Sequence, residues 1–324
     1  MSESAKSSPL ATVFGGSGFI GRHVVRALAR RGWRVRAAVR RPDLAGHLQP
    51  MGNVGQIHAV QANLRYPDSL ARAVAGADAV VNLVGILYET GQQTFNAVHV
   101  VGSGAVAEAA REGGASCLVQ LSAIGADAGS SAAYARSKAE GEAVTLTEMP
   151  SAIIMRPSVV FGPEDEFFNR FAALARIAPA LPLIGGGSTR FQPVYAGDVA
   201  EAVARGVEGR ARAGAVYELG GPDVMTFREV LEFILEATGR RRLLVPVPFA
   251  LARLQAAFLQ QLPRPLLTVD QVRLLEHDNV VSEAASAAGR TLEGLGIGPR
   301  TVRSIVPEYL KRFRRTGRFR MPAP

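Results

Sequence analysis

Short apolar runs alternate with stretches of helical spacing along the first half of the chain. Residues 11–14 (ATVF) have the continuous apolar character of a buried strand and run straight into Gly15-Gly16-Ser17-Gly18-Phe19-Ile20-Gly21. Residues 22–31 then place Val24, Val25, Leu28 and Ala29 on one side of a helix. A second strand is predicted over 33–39, and further short apolar runs recur at 56–60, 79–84, 117–121 and 152–155. Helical patterns separate most of them, notably at 95–112 and 134–147. Strand and helix in alternation predict an α/β chain with a Rossmann-like, doubly wound parallel sheet covered on both faces. In such a sheet the C-terminal end of the first strand lies at the switch point, where ligands bind.

The pattern changes after Arg156. Pro157, Pro163, Pro179, Pro182, Pro193 and the run Gly185-Gly186-Gly187 cut the chain into short pieces around helices near 167–176 and 199–207. From 227 to 309 the reading is mostly helix, interrupted by Pro246, Pro248, Pro263, Pro265 and a glycine-rich 294–298. Four segments result: a polar leader (1–9), a nucleotide-binding domain (10–157), a smaller and mainly helical cap interleaved with it (158–309), and a basic tail (310–324). Within the cap, residues 248–262 (PFALARLQAAFLQQL) are amphipathic, with Phe249, Ala252, Phe258 and Leu262 available to one side. Core packing is the plain use of that side and docking the sharper one.

Composition narrows the class. In 324 residues, 48% are hydrophobic, which excludes a disordered chain. The longest apolar stretches run about ten residues and contain prolines, half of what a bilayer span needs. The leader lacks the apolar centre of a secretory signal. A single cysteine, Cys117, allows no internal disulfide, and no Cys/His cluster has metal-ligand spacing, so no metal is expected. These features point to a soluble chain of a reducing, cytoplasmic compartment.

Charge matters once it is located. The net charge is +9, but residues 300–320 hold eight basic residues and one acid, which leaves +2 for everything else. Lys311-Arg312-Phe313-Arg314-Arg315 and Arg318-Phe319-Arg320 interleave cations with phenylalanine. Such a segment suits anionic lipid headgroups, each cation contributing up to about 1 kcal/mol at the surface. An acidic protein surface or plain solvation would also fit. Nucleic acid would call for a basic face on the folded body, which is nearly neutral, so none is expected.

The glycine loop carries the first chemistry. Gly15, Gly18 and Gly21 stand between a strand and a helix, where a turn without Cβ atoms lets a pyrophosphate approach and the helix supplies free N–H groups. At the end of the second strand, where an acid would accept from an adenosine 2′-hydroxyl, the chain has Arg40-Arg41. Paired guanidiniums suit a 2′-phosphate, so NADPH is expected over NADH. Asn63, after the third strand, is placed to meet the adenine.

Tyr134 and Lys138 lie one helical turn apart. An ammonium beside a phenol lowers its pKa, and the phenol then serves as a general acid or base, with Ser122 orienting a substrate oxygen. Six tyrosines and three lysines in this length give about 0.06 such pairs by chance. A site needing only positive charge would carry arginine, of which the chain has 34, so the lysine suggests use of its compact head group.

These motifs in order, GGSGFIG, residues 79–85 (AVVNLVG), Ser122, Tyr134-xxx-Lys138 and residues 156–163 (RPSVVFGP), resemble the extended and atypical short-chain dehydrogenase/reductases over roughly residues 10–240. Residues 191–199 (FQPVYAGDV), 217–222 (YELGGP), 267–275 (LTVDQVRLL), 278–281 (DNVV) and 292–297 (LEGLGI) look like the NADPH-binding accessory-subunit family of respiratory complex I, in a bacterial version. That resemblance implies a Rossmann-type subunit that holds NADPH, docks on the peripheral-arm subunits at the inner face of the membrane, and does not turn the nucleotide over. It implies further cofactor contacts at Phe19, Ile20, Leu64, Val84, Gly85, Lys138 and Pro157. An NADPH-dependent reductase or epimerase on a quinone-like or lipid-like substrate is the alternative. Two departures bear on it: residues 125–131 (GADAGSS) are short and chemically quiet, and His99 stands where many relatives of the superfamily carry an asparagine.

Overall fold

The computed structural model describes residues 8–263 and 265–315. β1 (Leu10–Phe14), buried at every position, leads through the glycine turn into α1 (Phe19–Ala29). β2 (Arg34–Val39), β3 (Ile57–Gln61), α2 (Pro67–Val74), β4 (Ala79–Asn82), α3 (Gly102–Glu112), β5 (Cys117–Leu121), α4 (Ala133–Glu148) and β6 (Ile153–Pro157) follow. Then come β7 (Val160–Phe161), α5 (Phe167–Ile177), β8 (Ala180–Ile184), β9 (Arg190–Phe191), β10 (Val194–Tyr195), α6 (Ala196–Val207) and β11 (Val216–Leu219). The last elements are β12 (Met225–Thr226), α7 (Phe227–Thr238), β13 (Leu243–Val247), α8 (Phe249–Leu259), α9 (Val269–Leu274), α10 (Glu283–Ala287) and α11 (Val302–Leu310).

Seven strands pair in the order β11-β6-β5-β4-β1-β2-β3, every neighbour parallel. The order runs outward from β1 in both directions, so the expected doubly wound sheet is present and the end of β1 stands at its switch point. One apolar layer joins the sheet to α1 and α6 through Val24, Leu28, Val199 and Val203. The opposite layer joins it to α2 and α3 through Leu70, Val74, Val106 and Ala110. β11 comes from beyond residue 157 and completes the sheet beside β6.

The remaining elements build a second apolar centre around Phe161, Phe168, Phe227, Leu231 and Ile234, closed by Val306 and Leu310 of α11. Asp165 links the two ends of this region: buried, it accepts from the Tyr309 hydroxyl at 2.5 Å and from the backbone N–H groups of Gly162 and Asn169. Burial raises the Asp165 carboxyl above its ordinary range.

Three expectations need correction. Residues 243–247 were expected in a helical stretch, but form β13, parallel to β8. Their proline-containing Leu-Val run between two further breakers has strand character, and a partner strand was at hand. The helix expected from 95 is α-helical only from Gly102; Asn96–Val101 are wound as a π-helix. Finally, the first part of the basic tail is not free. Leu310 and Phe313 are core residues, Lys311 pairs with Glu308, and Arg312 donates to Asn169. Arg318 and Arg320, like leader residues 1–7, lie outside the described residues.

Candidate nucleotide site

The glycine turn is built to leave space. Gly15 has φ +75°, a region that costs any other residue strain, and its N–H donates to Ala38 of β2. A Cβ on Gly21 would lie 2.2 Å from the Gly15 carbonyl oxygen, so no side chain fits there. Gly18 begins α1 with no side-chain cap, which leaves the first-turn N–H groups of Phe19 and Ile20 without intrahelical acceptors. This is an anion cradle at a helix N-terminus. Val84 borders the turn from β4, with its Cγ2 3.4 Å from the position of a Cβ on Gly15. The Val84 N–H is held by Asn82, whose amide donates to Gln120, and Gln120 in turn donates to Ser103. This buried polar chain fixes the ends of β4 and β5 below the site.

At the end of β2 the two arginines differ. Arg41 makes a two-pronged bond to Asp43, at 3.0 and 2.8 Å, and both partners are exposed. Arg40 is exposed and forms no ion pair among the described residues. Asn63 uses its side-chain oxygen to accept from the Arg65 N–H, while Leu64 packs against Gly102 of α3.

α4 presents the other half of the site. Lys138 is buried, donates to the Leu121 carbonyl at 3.4 Å, and stands 3.3 Å from where a Cβ on Gly85 would be. Burial lowers its ammonium to about 8. Ser122 donates its N–H to Met155, but its buried Oγ has no partner. Pro157 closes the floor at the end of β6, its carbonyl accepting from the Ile124 N–H. Candidates from both halves thus stand at the C-terminal ends of β1, β4, β5 and β6.

The Tyr134 phenol is not activated as the Tyr/Lys spacing led us to expect. The Lys138 ammonium is 5.9 Å from the ring centroid, and burial pushes the phenol up to about 12. The ring lies edge-on to Phe95 and His99, with centroids 5.8 and 5.5 Å away. His99 accepts from the Ile86 N–H through Nε2, which leaves Nδ1 to donate to Ser137 Oγ at 2.9 Å. Burial, then the charge of Lys138, lowers this imidazole to about 3. A neutral, doubly bonded His99 is a wall of the site rather than a proton carrier.

Sequence reasoning missed Asp270. From α9 its carboxylate accepts from the backbone N–H groups of Ala133 and Tyr134, at 2.7 and 2.8 Å, and so caps α4 from another element. Arg273 adds a bond to the Ser131 carbonyl. Nearby, Asn279 accepts from Ser158 and donates to Ile124. The DQV and DNVV motifs therefore pin the cap onto the ends of β5 and β6. Gly141 was also missed: a Cβ there would lie 2.0 Å from the His99 carbonyl oxygen, so α4 approaches the π-helical turn only through a glycine.

Comparison with known proteins identifies the family and the fold. Residues 11–220 match the NAD dependent epimerase/dehydratase family. The chain is similar to NADH dehydrogenase [ubiquinone] 1 alpha subcomplex subunit 9, mitochondrial, of Arabidopsis thaliana, 35% identical over 97% of this chain and 80% of the relative. It is also similar to the NADH-ubiquinone oxidoreductase 40 kDa subunit, mitochondrial, of Neurospora crassa, at 30% over 96% and 81%. A ceramide reductase of Caulobacter vibrioides is 36% identical over 53% of each chain. In fold, the chain resembles MoeE5 in complex with UDP-glucuronic acid and NAD, with a TM-score of 0.68 and 20% identity over 93% and 96% of the two chains.

Proposed function

This chain belongs to the NAD dependent epimerase/dehydratase family, and from that premise we propose that it is an accessory subunit or assembly factor of the respiratory NADH:quinone oxidoreductase, complex I, that holds NADPH without turning it over. The observation that carries this reading is the extent of the likeness. It runs through 97% of the chain, cap and glycine loop alike, whereas the likeness to the reductase covers 53%.

The residues present fit a dinucleotide. Gly15, Gly18 and Gly21 make room for the pyrophosphate, and the N–H groups of Phe19 and Ile20 donate to it. Arg40 is free to meet a 2′-phosphate, with Arg41 joining if it leaves Asp43, which supports a preference for NADPH. Asn63 and Leu64 border the adenine side, while Val84, Gly85 and Pro157 border the nicotinamide side. Lys138 donates to the ribose, and the orphaned Ser122 Oγ finds a partner. When bound, NADPH would supply a hydride donor, and binding to the folded state alone would stabilise the fold.

The partners in this reading are peripheral-arm subunits of complex I, with the chain peripheral on the cytoplasmic, inner face of the membrane. Anionic lipid headgroups meet the basic tail, and nucleic acid is not a partner. No helix among the described residues is long and apolar enough to cross a membrane. Purification from its own cells in mild detergent tests the assignment. Co-migration with the respiratory complex is expected, and migration as a free monomer would contradict it.

A second reading, a reductase or epimerase acting on a lipid-like or quinone-like substrate, is favoured by the unpartnered Ser122 hydroxyl and the ceramide reductase likeness. Tyr134 would then donate the proton. Tyr134→Phe separates the two: unchanged assembly and respiration are expected for the holding role, and loss of function with intact nucleotide binding for the enzyme.

A further inference from the structure

α8 is packed the wrong way round for a helix in water. Among its residues the buried ones are Ala252 and Ala256, while Leu251, Leu254 and Phe258 face out at three- and four-residue spacing. Leu254 is 58% exposed and Phe258 72%, and Leu262 and Leu266 continue the exposed apolar character beyond the helix end. The expected inward side is thus split: Ala252 packs inside, and Phe249 lies against Gly185, but Phe258 and Leu262 are outside. β13, immediately before α8, adds Leu243 at 73% exposure, with Val245 also exposed.

Charge tells what covers this surface. Residues 239–268 contain five arginines and no acid. At the start of β13, Arg240 feels the repulsion of Arg242, Arg176 and Arg315, so residues from α5, the β13 approach and the chain's last described turn converge. None of Arg176, Arg240, Arg241, Arg242, Arg314 and Arg315 forms an ion pair among the described residues. Like charges gathered without counter-ions, next in the chain to the exposed Leu243 and Val245 of β13 and one strand before the α8 ridge, have the composition of an interfacial region. On α8 the exposed Leu251, Leu254 and Phe258 share the outer side with Gln255 and with Arg253, which pairs with Glu276.

We propose that α8 and β13, with the adjoining arginine cluster, form a surface that lies on an anionic lipid bilayer, the α8 ridge entering the headgroup boundary and the guanidiniums meeting lipid phosphates. The inference adds a folded face of the cap to the lipid contact proposed for the tail. It does not depend on nucleotide binding or on the assignment to complex I.

Flotation of the full-length chain with vesicles tests it, using neutral phosphatidylcholine alone and with 30% phosphatidylglycerol added, about one lipid in three. The wild-type chain is expected to partition at least tenfold better onto the anionic vesicles. Leu254→Glu/Phe258→Glu, at exposed positions, should reduce that partition at least tenfold while NADPH binding and thermal midpoint stay unchanged. Arg241→Gln/Arg242→Gln should weaken binding and flatten its salt dependence, whereas removal of residues 316–324 should retain the Leu254/Phe258-dependent part. Equal partition of the wild type and the double glutamate variant would overturn the proposal. So would a dimeric wild type made monomeric by that variant with no vesicle binding by either, since the ridge would then face a second copy. Capture of the ridge by another protein, with no vesicle binding, would also overturn it. Intact NADPH binding in any of these outcomes leaves the functional reading standing.

Discussion

At the scale of residues, the site depends on atoms that are absent and on protons that are missing. Gly21→Ala would place a Cβ against the Gly15 carbonyl, and should cost about 2–3 kcal/mol of stability and at least a hundredfold in nucleotide affinity, read by thermal unfolding and titration. His99 gives a pH signature. Its imidazole is neutral in the fold down to about 3 but charges near 6.5 when unfolded. Between those values the unfolded chain binds more protons, so stability falls as pH falls, by up to about 1.4 kcal/mol per unit from this group. His99→Asn should flatten that acid limb, and denaturant melts from pH 7 to pH 4 would show it. The glycine spacing and the Tyr134/Lys138 pair were legible in the sequence because local periodicity alone brings them together. The state of the phenol was not, because Phe95, His99 and the position of the Lys138 ammonium come from packing across elements.

At the scale of elements, the first six strands and the helices α1, α3 and α4 could be read along the chain from their apolar periodicity, while α2 was not singled out. The π-helical turn at Asn96–Val101 could not: its residues are ordinary helix formers, and its winding is matched by Gly141 on α4. Nor could Asp270 be recognised, because an N-cap delivered across 136 residues has no sequence spacing to betray it. Asp270→Ala removes both bonds to the first turn of α4 and should destabilise the chain by about 2 kcal/mol. Asp270→Asn, which keeps one acceptor oxygen, should recover part of that loss. Because α4 carries Lys138, the alanine variant should also release nucleotide faster than the wild type, measured by stopped-flow displacement.

At the scale of the whole molecule, a sheet that ends in a candidate ligand site is joined to a cap that grips it through Asp270 and Asn279 and is itself closed by the Asp165–Tyr309 bond. Tyr309→Phe leaves the raised Asp165 carboxyl without its shortest partner and should lower the thermal midpoint through a loss of about 1.5–3 kcal/mol. The cap shows where sequence patterning fails at this scale. Residues 248–262 are amphipathic by period, yet the helix turns small alanines inward, and periodicity cannot say which side a neighbour covers. The central claim is that the glycine cradle and Arg40 hold a phosphorylated nicotinamide dinucleotide. Calorimetric titration of the full-length chain with NADPH and with NADH tests it most directly. Binding of NADPH at least tenfold tighter than NADH is expected, with the difference abolished in Arg40→Glu, whereas no heat with either nucleotide would contradict the account.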